Sequence, residues 1–223
     1  ASGMVVETLW EYIKRFDDET EVEEFEDPDT SLSKEANRLL SGIYLANKSV
    51  FQAAQGKEAY QGMGSTVSSV YFTANTLIAA NVGDSPIYLV HDGSIEQLSV
   101  PHTVLAEQAA LDPEGVQQLG GEFKHMLTRA MGVEETVKAD ISEIQCFKGD
   151  ILVISSDGLT ETVDKEEIHD VVKKERPDKA CRTLVNMANE RGGEDNITVI
   201  VLKVKKTISK SGGFFRFLSK LFR

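Results

Sequence analysis

The sequence predicts an α+β protein, with antiparallel sheets covered by helices on the outside. Three observations carry this reading. Apolar residues at helical spacing open the chain and recur in two segments near its end. β-branched and aromatic runs broken by turn signals fill the middle. Strands and helices are grouped rather than alternating one for one, which argues against repeated parallel βαβ units.

Val5, Leu9, Tyr12, Ile13 and Phe16 place an amphipathic helix over 2–16. Asp17 to Asp29 then holds nine acids around Pro28, and like charges at that density predict a solvated loop. Ser31 or Ser33 is positioned to cap a second helix, with Ala36, Leu39, Leu40, Ile43, Val50, Phe51 and Ala54 as its stripe and Gly56 as its stop. Strands are expected at Thr66–Ala74, Thr76–Val82, Ile87–His91 and Ile95–Leu98, with Asp92-Gly93 as a hairpin turn. These four read as an antiparallel meander. Short helices follow at Thr103–Leu111 and Pro113–Leu119, then strands at Val137–Gln145 and Asp150–Ser155. Asp164 or Lys165 through Lys174 and Asp178–Arg191 read as helices, and Ile197–Val204 as a last strand.

The chain has 223 residues, 41% hydrophobic and 27% charged, and a net charge of −12. That composition and length support a sizeable core in one large domain or two small ones. The charge is uneven. Lys203 to Arg223 holds seven bases and no acid, so the first 202 residues carry −19. An acidic body repels polyanions, which excludes a general nucleic-acid binder. No apolar run approaches the roughly 18 residues of a membrane span, and Ala1-Ser2-Gly3-Met4 has no signal-peptide character. Cys146 and Cys181 form neither a disulfide framework nor a metal-ligand spacing, so two structural thiols in a reducing cytoplasm are expected.

Three carboxylates stand where an apolar strand meets a turn: Asp84 in Ala80-Asn81-Val82-Gly83-Asp84-Ser85, Asp157 in Ser155-Ser156-Asp157-Gly158, and Asp195 in Gly192-Gly193-Glu194-Asp195-Asn196. A carboxylate at the edge of a buried sheet needs a positive or hydrogen-bonding partner. Converging strand ends would let several of them hold a hard divalent cation. Nothing else competes. The four histidines show no ligand spacing, Gly62-Met63-Gly64-Ser65-Thr66 matches no phosphate loop, and Ser155-Ser156 is not a nucleophile elbow.

Taken in order, Gly62–Thr66, Ala80–Ser85, Ser155-Ser156-Asp157-Gly158-Leu159 and Gly192–Thr198 resemble the motifs of bacterial metal-dependent protein phosphatases of type 2C. Leu127-Thr128-Arg129-Ala130-Met131-Gly132 resembles that family's segment between the second and third motifs, and the similarity runs from about Ser2 to Val204. The resemblance implies a four-layer α-β-β-α sandwich of two antiparallel sheets flanked by helix pairs. It implies a two-metal centre for Mg²⁺ or Mn²⁺ in a cleft at one edge, with Asp157 and Asp195 as core ligands and Asp84 as ligand to a third, weaker metal. The reaction implied is hydrolysis of phosphoserine or phosphothreonine on proteins, opposing protein kinases, with no covalent enzyme intermediate.

The chain also departs from the family. The family opens with an acid-bearing strand and a second strand ending in an Asp-Gly-Met-Gly-Gly loop, whose Asp bridges the metals. Ala1–Leu9 resembles the helix after that loop. The two strands are therefore expected upstream of Ala1. Failing that, another chain supplies them, or the protein is a metal-poor relative that binds without turnover. Pro86 replaces an expected Arg, Pro101 an acid, and Glu161 an Asp.

Residues 205–223 read as a separate basic tail. After Ser211-Gly212-Gly213, Phe214, Phe217, Leu218 and Leu221 share one helical face flanked by Arg216, Lys220 and Arg223. Such a segment over 214–223 suits an anionic membrane surface, a groove on a partner, or the acidic body itself.

Overall fold

A computed structural model describes residues 1–17, 28–73, 76–113, 123 and 125–206. Most of the acidic run, the helix expected near 113–119 and the aromatic part of the tail lie outside these residues.

The structure is the four-layer sandwich. One outer layer is α1 (Ser2–Asp17) and α2 (Lys34–Gly56). The first sheet orders β1 (Val67–Phe72), β2 (Thr76–Val82) and β5 (Asp140–Gln145) with β2 in the middle. The second has the order β4 (Ser94–Gln97), β3 (Ile87–His91), β6 (Ile151–Ser155) and β7 (Val199–Lys203). Every pairing is antiparallel. The other outer layer is α5 (Lys165–Lys174) and α6 (Pro177–Glu190). α3 (Val104–Leu111) and the four-residue α4 (Asp157–Thr160) complete the elements.

The period-2 alternation of the strands builds the layers. On β2, Ile78, Ala80 and Val82 face Val5, Leu39, Ile43 and Val50 of α1 and α2. Leu77 and Ala79 face the other way and meet Ile87, Leu89 and Leu152 between the sheets. Tyr88, Val90, Ile151 and Val153 then face Ile168, Val172, Ala180 and Leu184 of α5 and α6. Gly42 lets α1 lie close to α2, since a Cβ there would come within 2.8 Å of the Tyr12 ring.

Local chemistry sets the ends as expected. Ser33 Oγ accepts the Ala36 N–H at 3.1 Å and caps α2. Asp92 and Gly93, with φ of 45° and 81°, make the tight β3–β4 hairpin.

One expectation is overturned. The four central strands are not a meander: β2 and β3 belong to different sheets. β2 spends its pairing on β1 and β5, and the chain crosses to the second sheet through Gly83–Pro86. Both strands are central, so both faces are buried and their apolar runs are compatible with either sheet.

Candidate metal centre

Two of the three strand-end carboxylates are tied together through backbone. β6 pairs with β7 through Ser155 and Val199. Beyond that pair, Ser156 Oγ accepts the Thr198 N–H at 3.0 Å and donates to the Asn196 carbonyl at 2.9 Å. Gly158 closes the approach, because a Cβ there would stand 2.7 Å from the Asn196 carbonyl oxygen. Asp157, which opens α4, and Asp195 thus stand on segments in direct contact. Each has one carboxylate oxygen held by the next backbone N–H, from Gly158 at 3.0 Å and from Asn196 at 2.6 Å.

Asp84 reaches the same edge from the first sheet. Gly83 adopts a φ of +100°, and a Cβ there would run into Thr66, so only glycine turns this corner. Burial pushes the Asp84 carboxyl above its ordinary range, and the Asp157 carboxylate adds to this, as Glu161 does more weakly. The Asp84 backbone N–H and His125 act in the opposite direction.

Glu161 follows Asp157 by one helical turn, its N–H bonded to the Asp157 carbonyl at 2.9 Å. His125 Nδ1 lies 3.3 Å from Glu161 Oε1. One donor atom from each of His125, Asp157 and Glu161 falls within 4.8 Å of the others. Asp84 borders this cluster without joining it, while Asp195 is linked to it only through the backbone approach of its segment to Gly158. Among the described residues no lysine or arginine pairs with Asp84, Asp157, Glu161 or Asp195. Carboxylates gathered without a lysine or arginine, with one histidine beside them, fit a divalent ion with mainly oxygen ligands.

Sequence reading missed His125. It has no spacing relation to the acids. It arrives because Thr103 bridges Leu127 and the Val104 N–H bonds the Met126 carbonyl at 2.9 Å.

A model of the family described as protein phosphatase 2C matches residues 10–197. The chain belongs to the protein phosphatase 2C family. Protein phosphatase PhpP of Streptococcus pneumoniae serotype 2 is 34% identical over 169 residues, covering 74% of this chain and 67% of PhpP. The solved phosphatase MsPP of Mycobacterium smegmatis, in complex with cacodylate, is 30% identical with a TM-score of 0.73, covering 92% of this chain and 82% of MsPP. The catalytic domain of the phosphatase PstP, solved with two manganese ions, shares the fold at 23% identity and a TM-score of 0.73, covering 92% and 82% of the two chains. Against the family's pattern, Pro86 is accommodated here. It is buried, and its carbonyl accepts the Ser155 N–H at 3.2 Å, tying the crossover to the end of β6.

Proposed function

We propose that Asp157 and Asp195 hold the core divalent cations, and Asp84 a third, with which this protein phosphatase 2C chain hydrolyses phosphoserine and phosphothreonine in proteins. The observation that carries the reading is the gathering of Asp84, Asp157 and Glu161 beside His125, with no lysine or arginine among the described residues paired to them. Mg²⁺ or Mn²⁺ suits these oxygen donors. Such cations, when bound, supply Lewis-acid activation of water and offset charge on the phosphoryl oxygens. The residues supply the rest. The Gly158 and Asn196 N–H groups orient the Asp157 and Asp195 carboxylates, and His125, Glu161 and Asp195 are exposed to solvent.

The substrates are phosphoproteins made by a serine/threonine kinase. The phosphatase domain is assigned to 1–204. Residues 214–223 of the basic tail 205–223 are the contact to an anionic membrane surface or a protein partner, and the chain is assigned to the cytoplasm with peripheral membrane access. Co-sedimentation with anionic vesicles, with and without residues 212–223, checks the tail. No difference between the two proteins removes the membrane contact.

The site is tested by Asp157→Asn, which keeps the size and the Gly158 contact. Mn²⁺-dependent hydrolysis of a phosphothreonine peptide is expected to be lost with the thermal midpoint of the metal-free protein unchanged. Turnover at the parent rate would overturn the assignment.

A further inference from the structure

His102 is fully buried, yet every polar atom of its ring is used. The Gly83 N–H donates to its Nδ1 at 3.0 Å. A backbone N–H can only donate, so Nδ1 is bare and the proton sits on Nε2. Nε2 donates to Asp140 Oδ2 at 3.1 Å. The other Asp140 oxygen takes Arg129 Nη1 at 3.3 Å. The His102 backbone repeats the link, its N–H bonding the Gly83 carbonyl at 3.0 Å and its carbonyl taking the Thr128 N–H at 2.9 Å. One residue therefore joins the turn that carries Asp84 to the segment that carries His125. Thr66 and Ser68 brace the far side, through Ser85 Oγ at 2.9 Å and the Ser85 carbonyl at 2.6 Å.

We infer that His102, with its ring oriented by Asp140, is a positioning residue that sets the Asp84 turn for metal binding. The inference rests on the proposed metal site. Asp140 is the useful handle. It lies at the start of β5 and is about one-third exposed, so replacing it leaves the core intact. Without a carboxylate at Nε2, the buried Nε2 proton loses its acceptor and only the Gly83 N–H still holds the ring. The imidazole is then free to turn away in search of another acceptor, which loosens its hold on the Gly83 N–H. Groups that orient metal ligands from behind typically change metal affinity by 10–100-fold when removed.

The test is calorimetric titration of the whole chain with Mn²⁺ alone, for the parent and for Asp140→Ala, Asp140→Asn and Asp84→Ala. Asp140→Ala is expected to bind Mn²⁺ about tenfold more weakly, and Asp140→Asn, whose Oδ1 still accepts from Nε2, within about twofold of the parent. Thermal midpoints of the metal-free proteins accompany the titrations. A purely structural role for Asp140 would lower the Asp140→Ala midpoint and leave Mn²⁺ affinity alone. Unchanged affinity in Asp140→Ala beside weakened Asp84→Ala overturns the positioning role, as does an equal loss in both Asp140 variants. Parent-like affinity in Asp84→Ala overturns the metal reading at that residue instead.

Discussion

Gly158 shows how tightly the segments carrying Asp157 and Asp195 are packed. Its missing side chain lets the Asn196 carbonyl approach to where a Cβ would sit 2.7 Å away. Gly158→Ala is expected to force the Asp157 and Asp195 loops apart, costing about 1–3 kcal/mol as overpacking does, and to lower phosphatase activity more than stability. Urea titration and peptide hydrolysis on the same preparation check both. The carboxylates themselves were legible in the sequence, because an acid at the end of an apolar strand is costly without a purpose. His125 and the His102–Asp140 pair were not legible. A buried histidine and a turn histidine look alike when only neighbours in sequence are visible.

At the scale of elements, α2 does more than cover a sheet. Asn47 is fully buried, taking the Gly132 N–H at 2.7 Å and donating to the Glu134 and Glu135 carbonyls at 3.0 Å each. It pins the loop after Met131, where Gly132 adopts a φ of +82° against Val50. Asn47→Leu strands those backbone groups, and a loss of about 2–3 kcal/mol in denaturant titration is expected. α5 and α6 are joined near the surface. Arg191 grips Glu167 with two bonds of 2.6 and 2.7 Å, while the Asp164 N–H completes a capping box on the same carboxylate. The Arg191 bonds, helped by the Asp164 N–H, pull the Glu167 carboxyl down from 4.5 to about 2. The unfolded chain therefore binds this proton first as pH falls. The contribution of Glu167 is complete above about pH 4.5 and lost on going down through about pH 2. Thermal melts of Arg191→Met should show a shallower loss between those limits than the parent. Most helix and strand boundaries were readable, since capping residues and hairpin turns act locally. The sheet membership of β2 and β3 was not, because a doubly buried strand carries no mark of its partner.

For the whole molecule, the proposed metal site lies where segments from both sheets meet, so occupancy and folding would be linked. A cation that binds only the folded chain stabilises it by about 2.7 kcal/mol at a hundred times its dissociation constant. Saturating Mn²⁺ is therefore expected to raise the thermal midpoint of the parent, and to raise that of Asp157→Asn far less. An equal rise in both would place the bound ion elsewhere. The sequence by itself determined the α+β class, the family, the strand and helix segments and the three strand-end aspartates, because periodicity, capping and turn chemistry are properties of neighbouring residues. Only the tertiary structure decided that β2 and β3 part at Gly83, that Glu161 and His125 stand beside Asp157, and that His102 backs the Asp84 turn. Those facts depend on which distant segments pair, and pairing is settled by burial across the whole sandwich rather than by any stretch of chain alone.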